Sequence, residues 1–505
     1  MTSSFDLLII GGGINGTAIA RDAAGRGLSV VLCERDDLAS HTSSASTKLI
    51  HGGLRYLEYF EFGLVRKALQ EREVLLRSAP HVIWPLRFIL PYDKGLRPAW
   101  LLRLGLFIYD HLGGRKILPA TTTVNLQSGP FKGQLRSRLT KGFEYSDCWV
   151  EDARLVTLNA VDAHERGARI RTQTTVKTIK AMHDGYEAEV YENEKSSTIH
   201  AKAVVNAAGP WVEDILQKMK PGKSTAELRL VKGSHIVTKK LFDGDHCYIF
   251  QNSDDRIIFA IPYESDYTLI GTTDNPYEPS DRVVEISEEE KIYLCESASE
   301  YFRKPVTPLE IVWTYSGVRP LFDDKNSDAS AVTRDYVLKI DEFSENAPFL
   351  SIYGGKITTS RKLAEHVLEK LSSYLKTKSE PWTRDAILPG GDIKDADFDE
   401  FYEGLKIKYS AIDFTILKHL GRAYGTRAEK LLENCCGNLG QRFGPVLTEA
   451  EANYLVEYEW AKAADDVLWR RTKSGLHMTP SEQFDFKKWF EKTHRPNSPT
   501  TLDEI

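Results

Sequence analysis

Cysteine is scarce and unpatterned in this chain, and nowhere is there an apolar run long enough to cross a bilayer. The six cysteines (Cys33, Cys148, Cys247, Cys295, Cys435 and Cys436) form no C-x-x-C pair and sit in no histidine-rich spacing. That excludes the usual zinc patterns and a disulfide framework, so no metal site is expected and the compartment is expected to be reducing. No stretch reaches the roughly 20 apolar residues of a spanning helix, so any membrane contact is expected to be peripheral. The opening MTSSFDLLIIGGG has neither the basic stretch nor the cleavage site of a secretory signal. Positive charge is not in surplus: the formal net charge is -6, which gives a nucleic acid no footing. Internal repeats and low-complexity tracts are absent too.

What the sequence has is length and apolar content. With 505 residues, 41% hydrophobic and 27% charged, the chain outgrows a single core, which rarely exceeds about 250 to 300 residues. Two or three domains are expected, with room for a buried cofactor.

Phe5 to Ile10 is an apolar run of strand length that ends in Gly11-Gly12-Gly13-Ile14-Asn15-Gly16, a fit to G-x-G-x-x-G at Gly11, Gly13 and Gly16. A helical stretch from about Ile14 to Arg26 follows, Gly27 closes it, and Leu28 to Leu32 makes a second buried strand leading to Glu34. In such a βαβ unit the first glycine permits the tight turn, the second admits a pyrophosphate to backbone N–H groups, and the third lets helix and strand pack closely. The helix N-terminus adds positive potential. Glu34 is placed to accept both ribose hydroxyls. A glycine turn without a ligand is the plainer alternative.

FAD and NAD share this fingerprint, and three further segments bear on the choice. Ser43-Ser44-Ala45-Ser46-Thr47-Lys48-Leu49-Ile50-His51-Gly52-Gly53 is small, polar and rich in hydroxyls. It suits the lining of a flat polar ring and its phosphates, with a flexible surface loop as the alternative. Ala203 to Gly209 is a short apolar strand ending in small residues, where the backbone at Ala208 and Gly209 can come near a ligand. Tyr353-Gly354-Gly355-Lys356-Ile357-Thr358-Thr359 opens an amphipathic helix with Leu363, Val367, Leu368, Leu371 and Leu375 at helical spacing. A glycine pair at a helix start is an anion site, and aimed at N1 and O2 of a flavin it favours the reduced ring. An ordinary strand-to-helix turn is the alternative.

With these residues in view, the sequence resembles the bacterial aerobic, FAD-dependent glycerol-3-phosphate dehydrogenases, within the D-amino-acid-oxidase-like flavoproteins. The matching blocks are IIGGGINGTAIARDAAGRGLSV, SSASTKLIHGGLRYLE, EYSDCWVEDARLV from Glu144, NAAGPWV, KGSHIV from Lys232, IGTTD from Ile270, WTYSGVRPL from Trp313, TRDY from Thr333, YGGKITT and DDVLWRRTK from Asp465. In order, they span nearly the whole chain. Two departures are small: NAAG where the family often has N-A-T-G, and Ser360 where an aromatic commonly follows the two threonines. No extra internal segment of the kind often carried by the peroxide-forming oxidases is evident, and neither a transit peptide nor EF-hand loops of the mitochondrial relatives are seen.

The resemblance implies an α/β chain, α+β overall: a discontinuous Rossmann-like FAD-binding domain (1–80, 140–215, 335–378), an antiparallel substrate cap (81–139, 216–334) and a helical C-terminal domain (388–505). It implies dissociable FAD held by Gly11, Gly13, Ile14, Asn15, Gly16, Glu34, Ser43, Ser44, Ser46, Thr47, Lys48, His51, Gly52, Gly53, Ala208, Gly209, Gly354, Gly355, Lys356, Ile357 and Thr358. The implied reaction takes sn-glycerol 3-phosphate to dihydroxyacetone phosphate, with hydride passing from C2 to flavin N5 and electrons going to ubiquinone or another membrane quinone. The implied setting is the cytoplasm, on the inner face of the cell membrane. Self-association is left open, and a peroxide-forming flavin oxidase of the same superfamily is the alternative.

A phosphomonoester carries nearly two negative charges at neutral pH and calls for converging guanidinium groups. A lone arginine is more often solvated or paired with a carboxylate. The resemblance assigns Arg55, Arg319 and Arg334 to the substrate site, with Arg319 and Arg334 at the phosphate. The C2 hydroxyl needs a base, and His235 is the leading candidate, with His51 a rival better suited to touching the flavin ring. Lys356 is expected to add positive charge there, and Tyr56 and Thr272 to hydrogen-bond the triose.

Cys247 to Gln251, Arg256 to Tyr263 and Tyr267 to Thr273 read as an antiparallel meander roofing the site. Arg97 to Leu112 mixes Trp, Leu, Phe and cations in a way that suits a helix in a membrane interface and, nearly as well, a buried core helix. From about Asp395 the composition turns helical, and Thr448-Glu449-Ala450-Glu451 fits a capping box. Trp469-Arg470-Arg471 belongs to the resemblance without an assigned chemistry, and the polar tail after His494 is expected to be mobile.

Overall fold

A computed structural model describes residues 3–93, 98–219, 228–252, 254, 256–278, 284–323, 335–344 and 347–494. Arg97, Arg334 and the tail beyond His494 lie outside the described residues.

The chain begins with β1 (Ser3–Ile10), α1 (Ile14–Gly25) and β2 (Val30–Cys33). Leu7, Leu8, Ile9 and Ile10 are all buried, the continuous apolar run that a strand covered on both faces requires. β1 lies between β2 and the strand Lys195–Asn206, parallel to both, and Ala347–Tyr353 pairs parallel on the far side of the latter. The second strand starts later than its apolar run suggests. Asp6 and Ser29 bind each other through side chain and backbone, with the Ser29 N–H donating to Asp6 Oδ2 at 2.8 Å, so the regular ladder begins only at Val30. Helices α1, Asp152–Glu165 and Ser360–Leu371 cover one face of this sheet; Leu363, Val367, Leu368, Leu371 and Leu375, the periodic set of the last helical stretch, are all buried there. The strands Thr174–Met182 and Gly185–Glu192 and the helix Val212–Met219 cover the other face.

A second sheet stands beside the first. The expected meander is present as Cys247–Gln251, Ile257–Tyr263 and Tyr267–Gly271, antiparallel in sequence order. It continues into the long strand Leu228–Lys239, whose other edge pairs with Ile311–Phe322. The register brings His235 level with Gly271 on one side and Tyr315 on the other.

The C-terminal region is helical, with its own core around Leu417, Leu420, Leu432, Leu455 and Phe486. Thr448 caps its fourth long helix, Glu449–Glu459: its Oγ1 accepts the Glu451 N–H at 3.3 Å. Trp469, Arg470 and Arg471 lie in a single π-helical turn, Asp466–Arg471. The helix Ala99–Leu112 buries only Leu106 and Tyr109, whereas Trp100 is 69% and Phe107 56% exposed. It is therefore a surface helix with an apolar outer face, not a core helix. Among the described residues no helix is long and apolar enough to cross a membrane.

Candidate active site

The end of β1 opens into a cavity of about 360 Å³, lined by Gly11, Gly13, Asn15, Glu34, Ser43, Ala208, Gly209, Gly354 and Gly355 among others. Its floor requires glycine. Gly11 has φ +113°, and a Cβ there would stand 2.5 Å from the Ala207 carbonyl oxygen; at Gly16 it would stand 2.0 Å from that of Gly11. Three contacts bind the wall segments together. The Ile14 N–H donates to Ser43 Oγ at 3.0 Å, Asn15 Nδ2 donates to the Gly354 carbonyl at 3.1 Å, and Glu34 Oε2 accepts the Gly12 N–H at 2.6 Å. Asn15 Oδ1, in a residue that lines the cavity, is buried without a partner. Burial raises the Glu34 carboxyl above its ordinary value, against the lowering pull of the Asp36 and Gly12 N–H groups.

The hydroxyl-rich loop divides its side chains. Ser43 faces the cavity, while Ser46 Oγ and Lys48 Nζ bind Asp152 at 2.7 and 2.6 Å, and Lys48 and Asp152 are fully buried. The Lys48 ammonium is thus turned into the protein, where it also donates to the Ser44 carbonyl at 3.2 Å; it does not point at the cofactor cavity. Thr47 Oγ1 reaches His235 Nε2 at 3.0 Å. His51 is half-buried, edge-on to Phe259, and desolvation, reinforced by Lys356 and Arg72, pushes its imidazole down to about 4. The Gly52 N–H donates to the Tyr109 hydroxyl at 2.7 Å, which ties this loop to the inner face of the exposed helix. Gly53 has φ +74°, and a Cβ there would stand 2.3 Å from the Tyr56 ring. The Tyr56 ring receives the Lys356 ammonium, 4.0 Å from its centroid. Beyond Gly354 and Gly355 the chain makes a short 3₁₀ turn, Ile357–Thr359, before the helix begins at Ser360.

A second cluster lies on one face of the paired strands Leu228–Lys239 and Ile311–Phe322. Alternation along a strand puts His235, Gly233, Tyr315, Gly317 and Arg319 on the same side. Gly233 clears the space for Arg319: a Cβ there would meet Arg319 Nη2 at 2.3 Å and Thr272 Oγ1 at 2.8 Å. Arg319 Nη2 donates to the Thr273 carbonyl at 2.8 Å, and Nη1 pairs with Asp274 at 2.8 Å. His235 stacks on Tyr315, with centroids 4.7 Å apart and planes 16° from parallel, and its Nδ1 is buried without a partner. Burial holds its imidazole well below the ordinary value, and Arg319 and Lys48 push the same way. A neutral imidazole is the form a base must have.

The fold therefore brings His235, Thr272 and Arg319 together, and Tyr56 with Lys356. Arg55 instead reaches the Tyr59 hydroxyl at 3.3 Å. Sequence reasoning missed Asp152, Asp274 and Tyr315. All three stand inside the matching blocks, and only period-two spacing with Arg319 on one strand hinted at Tyr315.

A model of the FAD dependent oxidoreductase family matches residues 6–359, and one of the C-terminal domain of alpha-glycerophosphate oxidase matches residues 381–482. The aerobic glycerol-3-phosphate dehydrogenase of Escherichia coli is 46% identical over 96% of this chain and 97% of its own. The chain belongs to the FAD-dependent oxidoreductases of the glycerol-3-phosphate dehydrogenase type. Another relative of this flavoprotein, the D-erythritol 1-phosphate dehydrogenase of Brucella abortus, is 50% identical over 97% of the chain and 98% of its own length. The flavoprotein also superposes on the FAD-complexed glycerol-3-phosphate dehydrogenase of Bacillus halodurans, with TM-score 0.73 and 26% identity over 97% of this chain and 94% of that one. Its own residues fit FAD: a glycine floor that any Cβ would block, an unpartnered Asn15 oxygen and the Glu34 carboxylate at the end of β2. Bound FAD supplies an acceptor for a hydride and a store for two electrons.

Proposed function

We propose that this flavoprotein oxidises sn-glycerol 3-phosphate at C2 to dihydroxyacetone phosphate and passes the electrons to ubiquinone or another membrane quinone. The observation that carries the reading is the cluster of Arg319 and a neutral, buried His235 on one face of two paired strands, with Thr272 beside them over Gly233. Arg319 grips the phosphate, with Arg55 and Arg334 as further cations. Thr272 and Tyr56 hold the triose hydroxyls. His235 takes the C2 hydroxyl proton as the hydride leaves, and Lys356 places positive charge beside the bound ring. In this reading residues 1–80, 140–215 and 335–378 hold the cofactor, 81–139 and 216–334 roof the substrate, and 388–505 form the helical C-terminal domain.

The enzyme works at the inner face of the cell membrane, on its cytoplasmic side. Support comes from the outer face of Ala99–Leu112 and from Phe60, which is 80% exposed. Trp, Phe and Leu at such a surface suit the lipid interface. Tyr109 on the inner face of the same helix touches Gly52, so the surface that would meet lipid is one residue away from the loop expected to wrap the flavin.

A second reading, a four-carbon polyol phosphate as substrate, is favoured by the Brucella relative, named for D-erythritol 1-phosphate. Anaerobic addition of each substrate to the holoenzyme separates the two. The expected result is bleaching of the flavin by sn-glycerol 3-phosphate at the higher kcat/KM, recovery of the yellow colour with a soluble quinone, and no peroxide in air. A faster reaction with D-erythritol 1-phosphate selects the second reading, stoichiometric peroxide selects an oxidase, and a flavin that stays oxidised with both substrates rejects the proposal.

A further inference from the structure

The motif Trp469-Arg470-Arg471 has no part in the chemistry above, yet it docks on two elements of the site. Arg471 is buried; its guanidinium spans both Asp37 carboxylate oxygens at 2.8 Å each and also donates to the Glu459 carbonyl at 2.7 Å. Arg470 adds a third bond to Asp37, at 2.7 Å. Asp37 belongs to the loop that follows Glu34 and leads into Ala39, Ser40 and His41 on the cavity wall. Between these anchors Trp469 is pressed onto Trp313, ring centroids 5.3 Å apart and planes 23° from parallel. Trp313 in turn packs on Tyr315 at 5.2 Å, and Tyr315 stacks on His235 at 4.7 Å. Gly475 makes room for this, since a Cβ there would stand 2.7 Å from Trp469 Cζ2.

We infer that the C-terminal helical region is a positioning element of the reaction site, acting through a file of rings, Trp469 on Trp313 on Tyr315, that sets the angle of the His235 imidazole. The inference rests on the proposed role of His235. The imidazole has few hydrogen bonds to orient it: Nδ1 has no partner, and Nε2 meets the Thr47 hydroxyl alone, while Gly271, where a Cβ would stand 2.0 Å from His235 Cδ2, confines its edge. The plane of the imidazole is therefore fixed by the Tyr315 face beneath it, and Tyr315 is fixed at its hydroxyl by the Ser46 carbonyl at 2.8 Å and at its ring by Trp313. Trp313 lies on a strand of the sheet, but the ring that braces it comes from a turn more than 150 positions further along the chain. Trp469 has no hydrogen bond to Arg319; with Trp313 and Tyr315 it lines a neighbouring cavity that shares Ser40, His41, Thr42 and Trp211 with the cofactor cavity, so an effect on the base is told from an effect on binding by measuring rate, KM and FAD content together.

The test compares holoenzyme variants Trp469→Ala and Trp469→Phe by anaerobic stopped-flow flavin reduction with sn-glycerol 3-phosphate and with D-erythritol 1-phosphate. The expected outcome for Trp469→Ala is a maximal reduction rate about 10- to 100-fold lower, as small misplacements of a reacting group produce, with KM and FAD content nearly unchanged and with recovery in Trp469→Phe. A wild-type rate in FAD-loaded Trp469→Ala overturns the inference. So does a joint loss of rate, substrate affinity and FAD that Trp469→Phe does not repair, the mark of a merely structural role. Trp469→Leu, which keeps more apolar volume than alanine but removes the ring face, takes the place of Trp469→Ala if the latter does not fold. A readout independent of turnover is the imidazole nitrogen resonances of His235 in ¹⁵N-histidine-labelled holoenzyme, identified by their loss in His235→Asn. They are expected to shift in Trp469→Leu and return in Trp469→Phe, and resonances that stay in place overturn the inference. If wild-type flavin is reduced by neither substrate, the functional reading fails, and these resonances alone decide the positioning role.

Discussion

Arg319 and Asp274 form an ion pair, Nη1 to Oδ1 at 2.8 Å, at the corner where a phosphate is proposed to bind. Both side chains are more than a third exposed, and pairs of that kind contribute little, about 0 to 1 kcal/mol. An incoming dianion therefore displaces the carboxylate at small cost. Arg319→Ala is expected to raise the KM for sn-glycerol 3-phosphate about 10- to 100-fold, the loss of one or more charge-assisted bonds. FAD content stays as in the wild type. Steady-state kinetics with parallel flavin absorbance checks this, and an unchanged KM removes Arg319 from the phosphate site.

His235→Ala is expected to slow flavin reduction by about 10²- to 10⁴-fold, the range of general-base catalysis. The pH dependence carries a second sign. Burial, then Arg319 and Lys48, keep the imidazole neutral well below its ordinary value, so the wild-type reduction rate should stay level as pH falls through about 6.5, the reference value for histidine. A limb centred near that reference pH in stopped-flow reduction would contradict the geometry.

His81 gives a stability prediction. Burial, followed by Arg154, Arg422 and Arg427, pushes its imidazole down to about 3, and neither ring nitrogen has a partner. The unfolded chain takes up the proton first as pH falls below about 6.5, so stability is intact above that value and is lost progressively toward the folded value. At pH about 5 the loss from this one group is about 2 kcal/mol. The drop in Tm between pH about 8 and pH about 5 should be smaller in His81→Leu than in the wild type. Equal drops, measured by calorimetry, would show that His81 does not titrate this way.

The exposed helix yields a binding prediction. Trp100→Glu with Phe107→Glu should abolish co-sedimentation with vesicles of bacterial phospholipid, because a charge in the interface opposes burial of the apolar face. Reduction of the flavin by substrate should be unaffected. Retained vesicle binding in the double variant would place the lipid contact elsewhere.

The parts of this molecule set by neighbours in sequence were readable in advance. The turn from β1 into α1 follows from three glycines, and Thr448 was legible as a cap because its partner Glu451 is three residues away. Element ends were less legible: the Asp6–Ser29 exchange delays β2, and a side chain bonding across a turn leaves no trace in apolar spacing. The site divides in the same manner. His235 and Arg319 came from matched blocks, but Asp274 as the partner of Arg319, and Trp469 beneath Trp313, depend on register and docking between distant segments. Lys48 was drawn to the cofactor by its place in the loop. Only the structure reveals that its ammonium is spent on Asp152.

The parallel ladder of β1 with Lys195–Asn206, and of the latter with Ala347–Tyr353, joins strands from widely separated stretches of the chain. During synthesis the fingerprint glycines leave the ribosome first, but Gly354 and Gly355, which close the same cavity, emerge only after some two thirds of the polypeptide. A nascent chain must therefore wait, its nucleotide cradle half built, and loading with cofactor is a late event in the life of each molecule.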